Sequence, residues 1–199
     1  MKVGFVSLGC SKNLIDTEIA IGILKEHGME IVNNPEDAEM IIVNTCGFID
    51  PAKEEAINTI LEMAEYKKKK CKYLVAMGCL VQRYTDELKK ALPEVDLWIR
   101  LDKYDKFYTA IEELINNKVE DNKKYGEIKT YPKEPLPLAS KEEFLGREIS
   151  TGNNFAYLKI GEGCSNRCTY CAIPFIRGPF ISRPEEDIIE EAKILAKKG

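Results

Sequence analysis

The chain has 199 residues, 44% hydrophobic and 31% charged, a balance near that of soluble globular proteins and enough length for one complete domain plus part of another. A formal net charge of -4 gives no global drive toward nucleic acid, so any RNA contact would have to be local. No apolar run approaches the ~20 residues needed to cross a bilayer, which excludes a helical membrane span.

The first element is an apolar run, VGFVSL at 3–8, followed by Gly9-Cys10. It has the outline of a lipoprotein signal, but the apolar stretch is only about seven residues and is broken by Gly4 and Ser7. The same pattern of strand then cysteine also recurs at MIIVN (40–44) before Cys46 and at YLVAM (73–77) before Cys79. A cytoplasmic location follows. In that reducing setting seven cysteines point to metal or redox chemistry rather than disulfides.

The three runs are short and rich in β-branched residues, and they read as parallel strands separated by helices. Leu14, Ile15, Ile19, Ile23 and Leu24 mark one helical face; Ala52, Ala56, Ile57, Ile60, Leu61 and Ala64 mark another. Asp50 is placed to cap the second helix, with Pro51 in its first turn. A strand over 96–99 and a helix over about 105–116 complete an α/β unit with a parallel wound sheet at 1–117. Residues 118–152 are charged, irregular and interrupted by Pro132, Pro135 and Pro137, which predicts a linker with room for a short hairpin. From 153 to 199 the pattern resumes. FAYLKIGEGC reads as a strand ending in a cysteine, and Arg183-Pro184 opens a last helix with acids in its first turn and lysines at its end. One strand and one helix do not make a (β/α) barrel, which needs roughly 200 residues or more, so a truncated unit is expected.

Cys10, Cys46 and Cys79 lie 36 and 33 residues apart, yet in a parallel sheet all three fall at the carboxyl-terminal edge, where open α/β folds place ligands. Gly9, Gly47 and Gly78 beside them permit close backbone approach. Cys164, Cys168 and Cys171 form a CxxxCxxC run after a strand. Three thiolates there can hold a [4Fe–4S] cluster by three corners and leave the fourth iron open. Structural zinc, the main competitor, takes four closed ligands, usually from CxxC pairs, and this run holds one such pair.

With Tyr170 before its last cysteine, the run resembles the hallmark of radical S-adenosylmethionine enzymes. That resemblance implies that the open iron binds S-adenosylmethionine, whose reductive cleavage yields a 5′-deoxyadenosyl radical. It would place Tyr170 near the adenine, with core filling beside the cluster as the other role. With the dispersed triad added, the chain resembles the methylthiotransferase family over its whole length. The strings GCSKNLID (9–16), NTCGFI (44–49), GCLVQRY (78–84) and IRGPFISRP (176–184) are closest to the branch that methylthiolates an aspartate of small-subunit ribosomal protein twelve. The tRNA-adenosine branch more often has GCQMN and NTCAV at the first two places. The resemblance implies two [4Fe–4S] clusters, S-adenosylmethionine, an electron donor and a ribosomal partner. It also implies that these 199 residues alone are inactive. A metal-stapled interaction module is the non-enzymatic alternative.

Several polar residues keep two readings at this point. Asn13 and Asp16 either orient the first cysteine loop or cap the first helix. Arg177 and Arg183 either grip an acidic substrate or cofactor group or bridge the two units. Gln82-Arg83 either contact the second cluster's surroundings or merely start a helix, and Lys67–Lys70 read as a solvated basic face. Cys71 reads as structural or incidental, Trp98 as packing near a strand end, and the single histidine, His27, as a solvated helix-end residue.

Overall fold

The computed structural model describes residues 1–117, 131–152 and 154–198. Its centre is a five-stranded parallel sheet in the order β2-β1-β3-β4-β5, formed by β1 (Lys2–Ser7), β2 (Glu30–Val32), β3 (Met40–Thr45), β4 (Tyr73–Gly78) and β5 (Leu97–Ile99). The helices α1 (Ser11–Glu26), α2 (Asp50–Ala64), α3 (Cys79–Ala91) and α4 (Phe107–Ile115) connect or follow the strands. The predicted α/β wound sheet is therefore the observed one.

The central strand β3 is buried along its whole length, and its pleat divides the core in two. Met40 and Ile42 face one layer together with Val75, Met77 and Ile99 and with Ile15, Ile19 and Leu24 of α1. Ile41 and Val43 face the other, with Leu74, Ala76 and Trp98 and with Ala56 and Ile60 of α2. A strand covered on both faces needs apolar residues at every position, which is why MIIV reads as a continuous run rather than an alternating one. Each fully buried aliphatic side chain there contributes about 1.5–3 kcal/mol. Cys71 and Trp98 belong to the second layer, in the structural roles expected.

Beyond the sheet, α5 (Lys141–Gly146) packs on α1. A side chain at Gly22 would begin 2.5 Å from the Gly146 carbonyl oxygen, so only glycine lets the helices approach this closely. The remaining chain supplies β6 (Gly161–Glu162), α6 (Ile173–Arg177), β7 (Ile181–Ser182) and α7 (Glu185–Lys198), with β6 and β7 antiparallel.

Three expectations need correction. The stretch read as irregular linker contains α5, which a Ser140–Glu143 capping box starts and buried Phe144 anchors; among its described residues there is no hairpin, and 118–130 lie outside them. FAYLKIGEGC is paired only at Gly161–Glu162, because the neighbour it finds, β7, offers a two-residue ladder. Asp50 does not cap α2: Ile49 occupies the cap, and Asp50 sits in the first turn with its carboxylate 2.8 Å from Lys53 Nζ. Lys67–Lys70 form the solvated basic face expected, each beside an acid: Lys68, Lys69 and Lys70 are exposed, and the half-buried Lys67 ammonium is 2.7 Å from both carboxylate oxygens of Asp96.

Candidate metal and cofactor site

In the strand order β2-β1-β3-β4-β5 the chain leaves β1 toward opposite sides, so the topological switch falls between β1 and β3. The crevice at the carboxyl ends of strands beside such a switch is the ligand position of wound sheets. Cys10 follows β1 and Cys46 follows β3, flanking that switch, while Cys79 opens α3 directly after β4. The register ties these ends together: Ser7 is level with Asn44, and Thr45 with Gly78. The three cysteines, remote in sequence, thus sit on three adjacent strand ends.

Two glycines make the approach possible. Gly9 has φ +90, and a Cβ there would lie 2.8 Å from Cys46 Cβ. Gly78 has φ +101, and its Cβ would fall 2.2 Å from Asn44 Oδ1. Cys10 is exposed, Cys46 half-buried and Cys79 buried. Burial pushes the Cys79 thiol up to about 11, against the opposing pull of Arg177.

Asn13 resolves its two readings. It is fully buried and donates to the Leu8 and Thr45 carbonyls at 3.1 and 2.9 Å, joining the two strand ends, while Cys79 Sγ lies 3.3 Å from its Oδ1. It orients the cysteine loops, and the cap of α1 is Cys10 without a side-chain bond. Gln82 is buried behind them, accepting from the Asp102 amide at 3.3 Å. Arg83 lies over the Tyr84 ring, with 5.0 Å to its centroid.

The CxxxCxxC run is a loop between β6 and α6 whose thiols are half-buried or exposed. Its shape comes from local bonds. The Cys171 amide donates to the Cys168 carbonyl at 3.0 Å, and the Cys164 amide to the Gly178 carbonyl at 3.0 Å. Arg167 takes a left-handed φ of 51 and lays its guanidinium 5.2 Å from the centroid of Tyr131, which stacks on Phe175. Tyr170 is 88% exposed, so it does not fill core; its ring is open to a ligand.

The segment that follows the CxxxCxxC run, α6, packs against one cysteine of the sheet edge. Ala172 and Ile176 of that segment pack with Cys79, and Arg177 Nη2 lies 3.3 Å from Cys79 Sγ. Around them lies a buried charged network that the sequence pattern does not reveal. Lys159 bridges Asp16 and Glu162 at 2.8 and 2.6 Å; Arg177 reaches the same two acids at 2.9 and 2.8 Å. Burial alone would raise Glu162, but Lys159 and Arg177 bring its carboxyl down to about 2. Burial likewise opposes the charge of Lys159, and Asp16 and Glu162 overcome it, raising its pKa. A second network joins Arg147 to Glu18 and Glu191, and Glu191 to Arg183 at 2.5 Å; Arg183 also stacks 3.5 Å from the Phe144 centroid. Arg147 and Arg177 therefore bridge the sheet's helix α1 to the carboxyl-terminal elements, whereas Arg183 joins α7 to the Lys159 carbonyl and Phe144 without touching α1. The one signal in the sequence is that Asp16, Thr17 and Glu18 interrupt the apolar middle of α1. A single chain cannot distinguish that stripe from a solvated face.

The donor set suits an iron–sulfur group: three thiols per group, a glycine-lined edge and a nearby cation. Among the described residues no three His, Cys, Asp or Glu side chains close on one point as the ligands of a single ion do. A cubane takes its three thiolates at separate iron corners and so needs them spread around a larger body.

Two stretches of the chain match known family models. Residues 2–100 match the uncharacterized protein family UPF0004, and residues 158–199 match the radical SAM superfamily. Over its full length the chain is 55% identical to the ribosomal protein uS12 methylthiotransferase RimO of Alkaliphilus oremlandii, covering 42% of that protein. It is 54% identical to the protein of that name from Acetivibrio thermocellus and 50% to that of Caldicellulosiruptor saccharolyticus, covering 43% of each. A wound sheet followed by a match to the radical SAM superfamily defines the class of protein. The chain belongs to the radical S-adenosylmethionine methylthiotransferase family, and it spans about two fifths of the length of the curated relatives it matches.

Proposed function

We propose that this chain is the cluster-bearing part of a methylthiotransferase that adds a methylthio group to the β-carbon of an aspartate in ribosomal protein uS12. The observation that carries the reading is the packing of α6, the helix that follows the CxxxCxxC run, against Cys79 of the sheet-edge group, in a chain 55% identical along its length to a relative named for that activity. In this reading residues 1–117 hold one [4Fe–4S] cluster through Cys10, Cys46 and Cys79. Residues 118–152 connect, and residues 153–199 begin the radical SAM unit, holding the other cluster through Cys164, Cys168 and Cys171.

When bound, the clusters and S-adenosylmethionine supply the radical, the sulfur and the methyl group that an unactivated C–H bond requires. The chain's own residues hold and orient these groups. Cys79 anchors the buried side of its site, Asn13 fixes the adjoining loops, and exposed Cys10 leaves the opposite side accessible. Tyr170, exposed beside Cys171, would pack near the adenine of S-adenosylmethionine. The reaction draws on a separate electron donor and belongs in the reducing cytoplasm; no described helix is long and apolar enough to cross a membrane.

The test is mass spectrometry of uS12 and of tRNA from cells deleted for the gene that encodes this chain. Loss of one methylthio mass from uS12, with tRNA unchanged, is expected. An unchanged uS12 with a missing tRNA methylthio group assigns the other branch of the family.

A further inference from the structure

We infer that Arg177 is a positioning residue for Cys79, a hydrogen-bond donor delivered to the sheet-edge cysteine group by the segment that carries the CxxxCxxC run. The inference rests on the reading that both groups hold clusters, and it adds a residue that couples one site to the other. α6 begins two residues after Cys171 and ends at Arg177, so the guanidinium is fixed to the local run by a single helical turn. Its Nη2 is 2.7 Å from Asn13 Oδ1 and 3.3 Å from Cys79 Sγ, while Nη1 meets Glu162 and Asp16. The next residue, Gly178, turns back with φ +69, and its carbonyl takes the Cys164 amide at 3.0 Å. A Cβ at Gly163 would sit 2.2 Å from the Pro179 carbonyl oxygen, so the start of the run lies directly against this turn.

A purely electrostatic tie between the two halves does not require this geometry. Lys159 already bridges Asp16 and Glu162, so the docking acids have a cation without Arg177. What Arg177 adds is the planar fork, which reaches acids with one nitrogen and the asparagine–cysteine pair with the other. A charged donor on a ligand sulfur in a buried site favours added negative charge there, and hydrogen bonds to the sulfurs are among the factors that set iron–sulfur potentials. Arg177 is thus expected to raise the potential of the sheet-edge cluster.

The experiment uses the full 199-residue chain with Cys164, Cys168 and Cys171 changed to alanine, reconstituted anaerobically with iron and sulfide. Iron analysis, circular dichroism and a potentiometric titration followed by electron paramagnetic resonance are recorded for the parent and three variants. The Arg177→Met/Asp16→Asn pair removes the donor and keeps the buried charges balanced. Arg177→Lys keeps the charge without the fork, and Lys159→Met removes a cation that does not touch Cys79. The iron is expected to stay bound, with the potential shifted to more negative values in the Met pair, partly so in Arg177→Lys, and unmoved in Lys159→Met. An unmoved potential in a folded, iron-loaded Met pair overturns the inference, as does an equal shift in Lys159→Met. If circular dichroism shows the Met pair unfolded, the Arg177→Lys result decides alone by the same criterion. A parent that takes up no iron contradicts the cluster reading instead, and the two failures are distinguishable.

Discussion

The two cysteine groups reach comparable chemistry by opposite routes. Cys164, Cys168 and Cys171 are held by their own loop, through hydrogen bonds between residues no more than fifteen apart, with Phe180 the farthest partner. Cys10, Cys46 and Cys79 are held by a sheet: three strand ends in register, two left-handed glycines and one buried asparagine. The difference teaches that a ligand set can be encoded by spacing or by topology, and that the second kind depends on every contact that keeps the sheet and its neighbours in place.

The largest expected effect comes from breaking the tie between the halves. Arg147 is almost fully buried between Glu18 and Glu191, so Arg147→Ala leaves buried Glu18 without its cation and Glu191 with Arg183 alone, and should cost roughly 3–5 kcal/mol, read by urea unfolding. Should the topological account hold, iron at the sheet edge survives this change wherever the sheet remains folded. Next is Gly78→Ala, which forces a side chain into a region with φ 101 and ψ -160 and against Asn44. A penalty of about 1–3 kcal/mol is expected in thermal melts, with iron lost from the sheet-edge group and retained by the loop group. Equal loss from both would erase the distinction between them.

A smaller effect belongs to acid. The carboxyl of Glu162 is held down to about 2 in the fold, below its ordinary 4.5, so its contribution to stability is full above 4.5 and is lost as pH falls toward 2. Melting temperature followed from pH 6 to pH 2 should fall through that window, and Glu162→Gln should flatten the fall; an unchanged slope would remove Glu162 from the account. Smallest is Lys68→Ala, which breaks an exposed pair with Glu65 and should change stability by about 0–1 kcal/mol in the same urea assay.

Much of the sheet and both cysteine groups are legible in the amino-acid sequence. β1, β3 and β4 announce themselves as apolar runs because buried strands have no solvent face to vary, and the cysteines then follow at their ends. β2 does not stand out, because Glu30–Val32 is a partly exposed three-residue edge. α5 is hidden by the prolines before it, although its Ser140–Glu143 box is a local start signal. The charged networks are the real gap. Glu18, Arg147, Lys159, Glu162 and Glu191 look like ordinary surface charges, and only the packing of distant segments on α1 takes them out of water. Asn13 and Arg177 are ambiguous in the sequence because residue type names the possible bonds while only the fold selects among them.

The central claim, two separate iron–sulfur sites built from two cysteine triads, is tested most directly by iron and sulfide analysis after anaerobic reconstitution. The account predicts about eight irons per chain with all six cysteines and about four when either triad is replaced by alanine. Retained zinc, no iron in one of the triads, or loss of all iron when a single triad is removed would contradict it.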